Sequence, residues 1–486
     1  MPGAHRPRHE GCTGILARLV ASRADTRGQS AAVSLPSQDE ALERSAVTRR
    51  VVGDFCRSRS EDPLAHIMWL LAAKLEPRSG AEGHVPQAGR TASAARRLAK
   101  DLRQRARPTR PDFFSGGDVL FVVESENQRR VLAPVAASLG ATMRPVAGAV
   151  AWREQRRLSA HALCLARELS ADLSAAGAAP PIAARTWYAF ARDAGHAFGY
   201  ARALFREGTI RAAAVASTHG GPPRALVAAA REAGVPSVYT PHAPLLRDLE
   251  VIDLPVDYAA LRGSGEVEHY AGFGVERRLL AVAGDPSMAR PAEPPPLARG
   301  LDAVFAPSPD PQPRIAAMVA VIAAATSEPV TVSPHPRSDV DFLRQVMPHS
   351  WSVWQRRTLE LLEQGPPVVV QHSSGVALEA LQLGLPTVEL TFPGGRPAYP
   401  FIREPYVVPA SNSVELRAAL EQAHTTDSSR RDELLKWARH WVARTGDDAA
   451  AHIGALIDEA KRVGPRAQPI WDAWAAKRSA DAAEPL

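Results

Sequence analysis

A few short turns hold the side chains whose types and spacing suit chemistry. His219 closes the apolar run Arg211 to Ser217, and His242 follows Ser237 to Thr240 in the sequence Thr240-Pro241-His242-Ala243-Pro244. An imidazole titrates near 6.5 when unperturbed, so near neutral pH it is partly unprotonated and can accept a proton. A metal pair is conceivable, but no HExxH pattern or close third ligand accompanies these histidines. A general base or a phosphate contact is the more economical role, and no metal site is assigned. His335 and Arg337, in Pro334-His335-Pro336-Arg337, follow the apolar run Pro329 to Ser333, and the prolines fix the backbone around the histidine. An imidazole and a guanidinium at a strand end suit a phosphate; a plain surface turn is the alternative. His372, Ser373, Ser374 and Gly375 sit between Val368–Val370 and the helical text Val376 to Leu383, which contains Glu379. Small residues there leave backbone N–H groups open to an anion, with the serine hydroxyls beside them and Glu379 grouped in the same set. The alternative is that Ser373 or Ser374 only caps the helix.

These turns need strands behind them. The 486 residues lead us to expect two or three domains. We read 1–110 as an extension, disordered at first, with helical patterning from about Ala41 to Leu75. Pro77 to Pro111 is a linker holding a helix candidate, Ala94 to Arg105. An α/β domain spans 117–290. It opens with the strand Asp118–Glu124, the acidic turn Glu124-Ser125-Glu126-Asn127, the helix Glu126–Leu139 and a strand Met143–Ala147. Helical patterns follow at Leu158–Leu173 and Trp187–Phe205. The aromatics Trp187, Tyr188, Phe190, Phe198 and Tyr200 are expected in the core or an interface. A further strand is expected at Asp253–Ala260, and Ala281–Asp285 ends in a turn. Proline-rich Pro286 to Gly300 reads as a hinge. A second domain, 300–459, begins with Leu301–Ser308. Met347–Leu362 reads as a crossover helix, Phe392–Arg396 as a loop over a nucleotide, and Ser429–Lys461 as helical text crossing back to the first domain. Residues 460–486 form a tail. The expectation is α/β: two Rossmann-like, doubly wound domains facing across a cleft, with an N-terminal extension. In such sheets ligands bind outside the carboxyl ends of the strands, where all these turns fall.

Composition narrows the partners. The net charge is +6 and the cysteines are Cys12, Cys56 and Cys164, too few and too scattered for a disulfide framework. No signal-peptide pattern or apolar span is seen, which points to a reducing cytoplasm, with the inner face of the cell membrane as a further location. No zinc-finger, RNP-like or helix-turn-helix signature accompanies the charge, so no specific nucleic-acid partner is expected. Peripheral attraction to an anionic membrane and self-association are both compatible with it.

From about Gly117 to about Glu459 the chain resembles the two-Rossmann-domain (GT-B) transferases of bacterial surface polymers. It is nearest to the capsule and teichoic-acid polymerases of the CDP-glycerol glycerophosphotransferase type. Three stretches carry the resemblance: His219 to Ala243, Ser333 to Arg337, and Gln371 to Leu390. The family's Gln-His-Gly is here Pro241-His242-Ala243, and its acidic residue before the serines is here Gln371-His372. The acidic-acidic-Gly motif of sialic acid and Kdo transferases is not evident. The resemblance implies a transferase moving a glycosyl or polyol-phosphate unit from a nucleotide-activated donor, with a pyrimidine nucleotide expected, to a glycan or polyol acceptor. No cofactor or obligatory metal is implied. His242, with His219 as the second choice, would be the base. His335, Arg337, His372, Ser373, Ser374, Gly375 and Glu379 would bind the donor. A nucleotide-sugar epimerase on the same fold and a catalytically inactive scaffold of a polymer-assembly complex are the competing readings.

Overall fold

The computed structural model describes residues 38–59, 62–68, 113–146, 150–177, 184–218, 220–245, 254–272, 274–288, 291, 293–297, 303–391 and 399–466. The helix candidate Ala94–Arg105, His219, the loop Phe392–Arg396 and the last residues of the tail lie outside them, as do the side chains of Trp187, Tyr188 and Phe190.

Uninterrupted apolar runs build the first sheet. The strand β2 (Val119–Val122) is fully buried along its length, the signature of a strand covered on both faces. It pairs in parallel with β4 (Ala212–Val215), and the parallel series continues through β5 (Ser237–Tyr239), β6 (Tyr258–Leu261) and β7 (Leu280–Val282). On the other side of β2, β1 (Phe113–Gly116) pairs antiparallel, and β3 (Arg144–Pro145) pairs antiparallel with β1. The order is therefore β3-β1-β2-β4-β5-β6-β7. The sequence placed the start of this unit at Gly117, after the strand-forming Phe113–Gly116. The strand expected at Met143–Ala147 shrinks to two residues at the edge, a position that tolerates Pro145 without its N–H.

Helices cover both faces: α1 (Gln38–Arg57), α2 (Glu126–Ser138), α3 (Trp152–Ala175), α4 (Ala184–Arg206) and α5 (Gly221–Glu232). Val52, Phe55, Cys56, Leu64, Ile67 and Met68 are buried with Leu158, Leu165 and Phe198 in one cluster. The segment from α1 to Met68, read from sequence as an appendage, is thus part of the first unit's core. Tyr200 packs partly buried against the same cluster.

The second sheet is wholly parallel: β8 (Ala303–Pro307), β9 (Val330–Val332), β10 (Ser352–Val353), β11 (Val369–His372), β12 (Thr387–Leu390) and β13 (Val407–Ala410), in the order β10-β9-β8-β11-β12-β13. Counted along the chain this is 3-2-1-4-5-6, the doubly wound nucleotide-binding order, whose switch point lies between β8 and β11. The expected crossover helix Met347–Leu362 is instead the edge strand β10 and a short helix. Trp351 and Val353 carry strand-favouring side chains, and Trp354 N–H donates to Val332 O at 2.8 Å, continuing the ladder.

In chain order the remaining helices are α6 (Ser264–Gly272), α7 (Gln312–Ala325), α8 (Val340–Val346), α9 (Thr358–Leu362), α10 (Val376–Gln382), α11 (Ser413–His424), α12 (Ser428–Trp441) and α13 (Gly446–Val463). The helical text Ser429–Lys461 breaks into the last two. Val442 is extended, and the peptide after it is bound to the first unit: Ala443 N–H donates to Arg262 O and Asp285 N–H to Arg444 O, both at 2.9 Å. Beyond this crossing, α13 buries Ile453, Ile457 and Ala460 against Phe121, Ala214 and Tyr258. The expected return to the first domain is present. The fold is α/β with two Rossmann-like units. Among the described residues no helix is long and apolar enough to cross a membrane.

Candidate functional site

The end of β5 fixes His242. After the buried residues Ser237 to Thr240, the chain turns so that His242 N–H donates to Ala216 O at 3.2 Å, just past β4. Nδ1 of the same histidine also bonds closely to Ala216 O. A carbonyl only accepts, so Nδ1 carries the proton and Nε2 keeps its lone pair. Burial first, and then the Arg262 guanidinium, push this imidazole below its ordinary pKa, against the Ala216 carbonyl and Asp285, which raise it. His242 is therefore neutral near pH 7, with the tautomer a proton acceptor requires.

Under this turn lies a buried charge cluster. Arg262, Glu266 and Asp285 are 1%, 2% and 2% exposed. Arg262 Nε lies 3.0 Å from Asp285 Oδ2, and Glu266 Oε2 accepts from Arg262 N–H at 2.9 Å. Burial pushes the Glu266 carboxyl up.

At the first sheet's own switch point, between β2 and β4, Glu124 N–H donates to Gln128 Oε1 at 2.7 Å, while Ser125 caps α2. The Glu124 carboxylate lies over Gly220, where any Cβ would collide with it. The acidic turn expected at this edge is thus joined to the loop after β4.

In the second unit, the turn after β11 spans the switch point. Ser308, just past β8, donates its hydroxyl to Ser373 O at 2.8 Å. Ser373 takes φ 46°, a left-handed conformation in a non-glycine residue. Two buried side chains hold it: Ser373 N–H donates to Glu389 Oε1 at 3.0 Å, and Ser374 N–H to Gln371 Oε1 at 2.8 Å. Gln371 Nε2 closes the bracket on Glu389 Oε2. The N–H groups of the two serines, expected to be open to an anion, are thus taken by internal acceptors, and the Ser374 hydroxyl accepts from Val376 N–H at 3.4 Å. His372 Nδ1 bonds to Leu390 O at 2.6 Å. Burial pushes the Glu389 carboxyl up to about 8.

His335 and Arg337 follow β9, on the same sheet edge but beyond β8. His335 Nδ1 accepts from Arg337 N–H at 3.1 Å, and burial with the Arg337 charge pushes the imidazole down. Glu379, on α10, is partly buried. Burial pushes it up, Arg357 and Arg130 oppose this, and Asp285 adds to it. Arg130 and Asp285 belong to the first unit, so Glu379 faces the junction.

The two edges meet there. A Cβ on Gly375 would lie 3.2 Å from Cγ of Pro244, so the Ser-Ser-Gly turn rests against the turn that carries His242. The structure thus brings the turn of His242, through Pro244, against the turn of Ser373, Ser374 and Gly375, with Glu379 on the adjoining helix. Among the described residues no group of three or more His, Cys, Asp or Glu could hold a metal ion.

Arg262, Asp285, Gln371 and Glu389 are site residues that no motif in the sequence marks. The signals were there: an arginine directly after the apolar run Ala259 to Leu261, with Glu266 one helical turn on, and a glutamate inside the apolar strand Thr387 to Leu390. A charge in an otherwise apolar parallel strand needs a buried partner.

No protein-family model matches the chain, and no curated protein matches it. Solved structures do. One is UDP-GlcNAc 2-epimerase from Methanocaldococcus jannaschii in complex with UDP-GlcNAc and UDP, at 13% identity and TM-score 0.43, over 68% of this chain and 97% of that one. Another is S. aureus MnaA with UDP, at 11% identity and TM-score 0.42, over 69% and 94%. The glycotransferase of kitacinnamycin aligns at 17% identity and TM-score 0.41, over 60% and 89%. No residue role is carried across from proteins at this distance.

Proposed function

We propose that the chain is a transferase that uses a nucleotide-activated donor and moves a glycosyl or polyol-phosphate unit to a hydroxyl of a glycan or polyol acceptor. The observation that carries this reading is that the turn of His242, whose ring is neutral and anchored through Nδ1, packs through Pro244 on the turn at the switch point of a 3-2-1-4-5-6 sheet. In this reading Nε2 of His242 takes the proton from the acceptor hydroxyl as its oxygen attacks the donor. The bond to the nucleotide's phosphate breaks, and that phosphate leaves with the electron pair. His335 and Arg337 approach it from the loop after β9, and the hydroxyls of Ser373 and Ser374 from the loop after β11, supplying donors where negative charge grows. His372, Gly375 and Glu379 line the same turn and helix and complete the donor side. His219 is the second base candidate. The net charge of +6 suits an acceptor presented at an anionic surface.

Thermal unfolding of the full chain against CDP-glycerol, CMP-, UDP- and GDP-activated sugars tests the reading. A ligand that binds only the folded state must raise apparent stability, by about 2.7 kcal/mol at a hundred times its Kd. Stabilisation by at least one donor, followed by transfer to a polyol or glycan acceptor, is the expected result. Conversion of a UDP-sugar to its 2-epimer without acceptor would replace transfer with epimerisation. No stabilisation by any donor would leave the scaffold reading.

A further inference from the structure

Arg262 is the largest fully buried side chain in the described protein. A guanidinium cannot shed its charge, and an apolar side chain of like volume usually serves stability as well or better. A buried arginine therefore calls for a use. Its surroundings indicate one. Nη2 donates to Pro241 O at 3.5 Å, the carbonyl directly before His242. Nε faces Asp285, whose Oδ1 is held by Ser287 N–H at 2.9 Å and Ser287 Oγ–H at 2.6 Å. Both acid and base of the pair are tied to the crossing peptide from the second unit: Arg262 O accepts from Ala443 N–H, and Asp285 bridges to Thr445.

We propose that Arg262 is the positioning residue of His242, holding its turn through Pro241 while Asp285 ties the pair to the joint between the two units. This deepens the base role given to His242 above and rests on it. The groups that face the imidazole are Arg262 at the end of β6, Asp285 after β7 and the Ala216 carbonyl after β4, with Glu266 of α6 behind Arg262. From the second unit the His242 turn meets Gly375, and Glu379 on the following helix interacts with Asp285. A cation beside the imidazole disfavours imidazolium, and the anion behind it tempers that effect. A salt bridge that served only the fold would leave the histidine's titration where it is.

The test reads that titration directly, with no donor or acceptor present, so it stands apart from whether a nucleotide binds. The full chain is labelled at histidine, and the His242 ring resonances are assigned by their loss in His242→Asn. Wild type should show the Nδ1–H tautomer and titrate below 6.5. Arg262→Met should raise the titration, and Asp285→Asn, which leaves the arginine unopposed, should lower it. Arg262→Lys keeps the charge and should restore most of the wild-type value. If Arg262→Met does not fold, the downward shift in Asp285→Asn and the near-native value in Arg262→Lys decide the matter. A wild-type Nε2–H tautomer, or a His242 titration that moves in none of the folded variants, would overturn the proposal.

Discussion

Around His242 the chain buries charge; around Ser373 it buries an amide beside a carboxyl. Both turns end a parallel strand, and both must hold polar groups at the edge of an apolar sheet. The first uses a guanidinium between two acids, all 1–2% exposed. The second uses Gln371 and Glu389, at 0% and 1% exposed, to take two backbone N–H groups. The difference follows from what each turn presents. His242 offers a ring whose protonation has to be set, and a nearby charge can set it. The Ser373 turn offers hydroxyls on a left-handed backbone, and its N–H groups donate to Glu389 on the neighbouring strand and Gln371 on its own to hold that shape. Fixed charge therefore tunes a titration in one turn, and neutral acceptors fix a backbone in the other.

The largest effect expected from breaking this pairing is on turnover. His242→Ala and His242→Asn should leave donor affinity by calorimetry nearly unchanged and lower turnover about 10²–10⁴-fold, the range for loss of a general base. Survival of turnover with an unchanged acidic limb would move the role to His219 or Glu124.

Next comes stability. Asp285→Ala leaves Arg262 buried without its closest acid and should cost about 3–5 kcal/mol in chemical unfolding, the cost of orphaning a buried charge. If the loss is below 1 kcal/mol, the pair is not the anchor of the first turn.

The second turn predicts a pH dependence of the opposite kind to ordinary acid denaturation. The folded Glu389 carboxyl lies near 8, above its unfolded value near 4.5. Its contribution to stability is fully present below about 4.5 and is lost as pH rises through 8. The Tm should therefore fall between pH 5 and 8 by an increment that Glu389→Gln abolishes. An identical slope in wild type and variant would show that Glu389 titrates normally. The smallest effect belongs to Ser374→Ala. Its hydroxyl reaches Val376 N–H only at 3.4 Å from the residue before the N-cap Gly375, so the loss should be that of one weak hydrogen bond, about 0.5 kcal/mol.

The strands that carry these turns were legible because continuous apolar runs such as Val119–Val122 have one stable place in an α/β fold. The Ser-Ser-Gly turn and its helix, and the return of the C-terminal helix, were read from the same patterning. The edges were less so. β3 was expected but longer, and β10 was read as helix; each has two residues, too few for a period, and its pairing is decided by the neighbouring strand. The buried partners were hidden for another reason: Arg262 and Asp285 are brought together by the pairing of β6 with β7, and Gln371 and Glu389 by the pairing of β11 with β12. Local sequence shows each residue, but the sheet makes the pair. The turn amides were expected to be open because nothing in Gln371–Gly375 shows that Gln371 folds back on Ser374 N–H or that Glu389 on the next strand takes Ser373 N–H.

The central claim is that donor phosphate sits at the switch point of the second sheet, facing His242. Amide hydrogen exchange of the full chain, with and without a saturating donor from the unfolding screen, locates it most directly. The account predicts added protection in peptides covering 333–338 and 371–379, together with 240–245 across the junction. A groove of about 300 Å³ lies at the other end of this sheet, lined by Thr387, Tyr406, Asp427 and Arg430. Protection confined to peptides from that groove, with the three turns unchanged, would contradict the account.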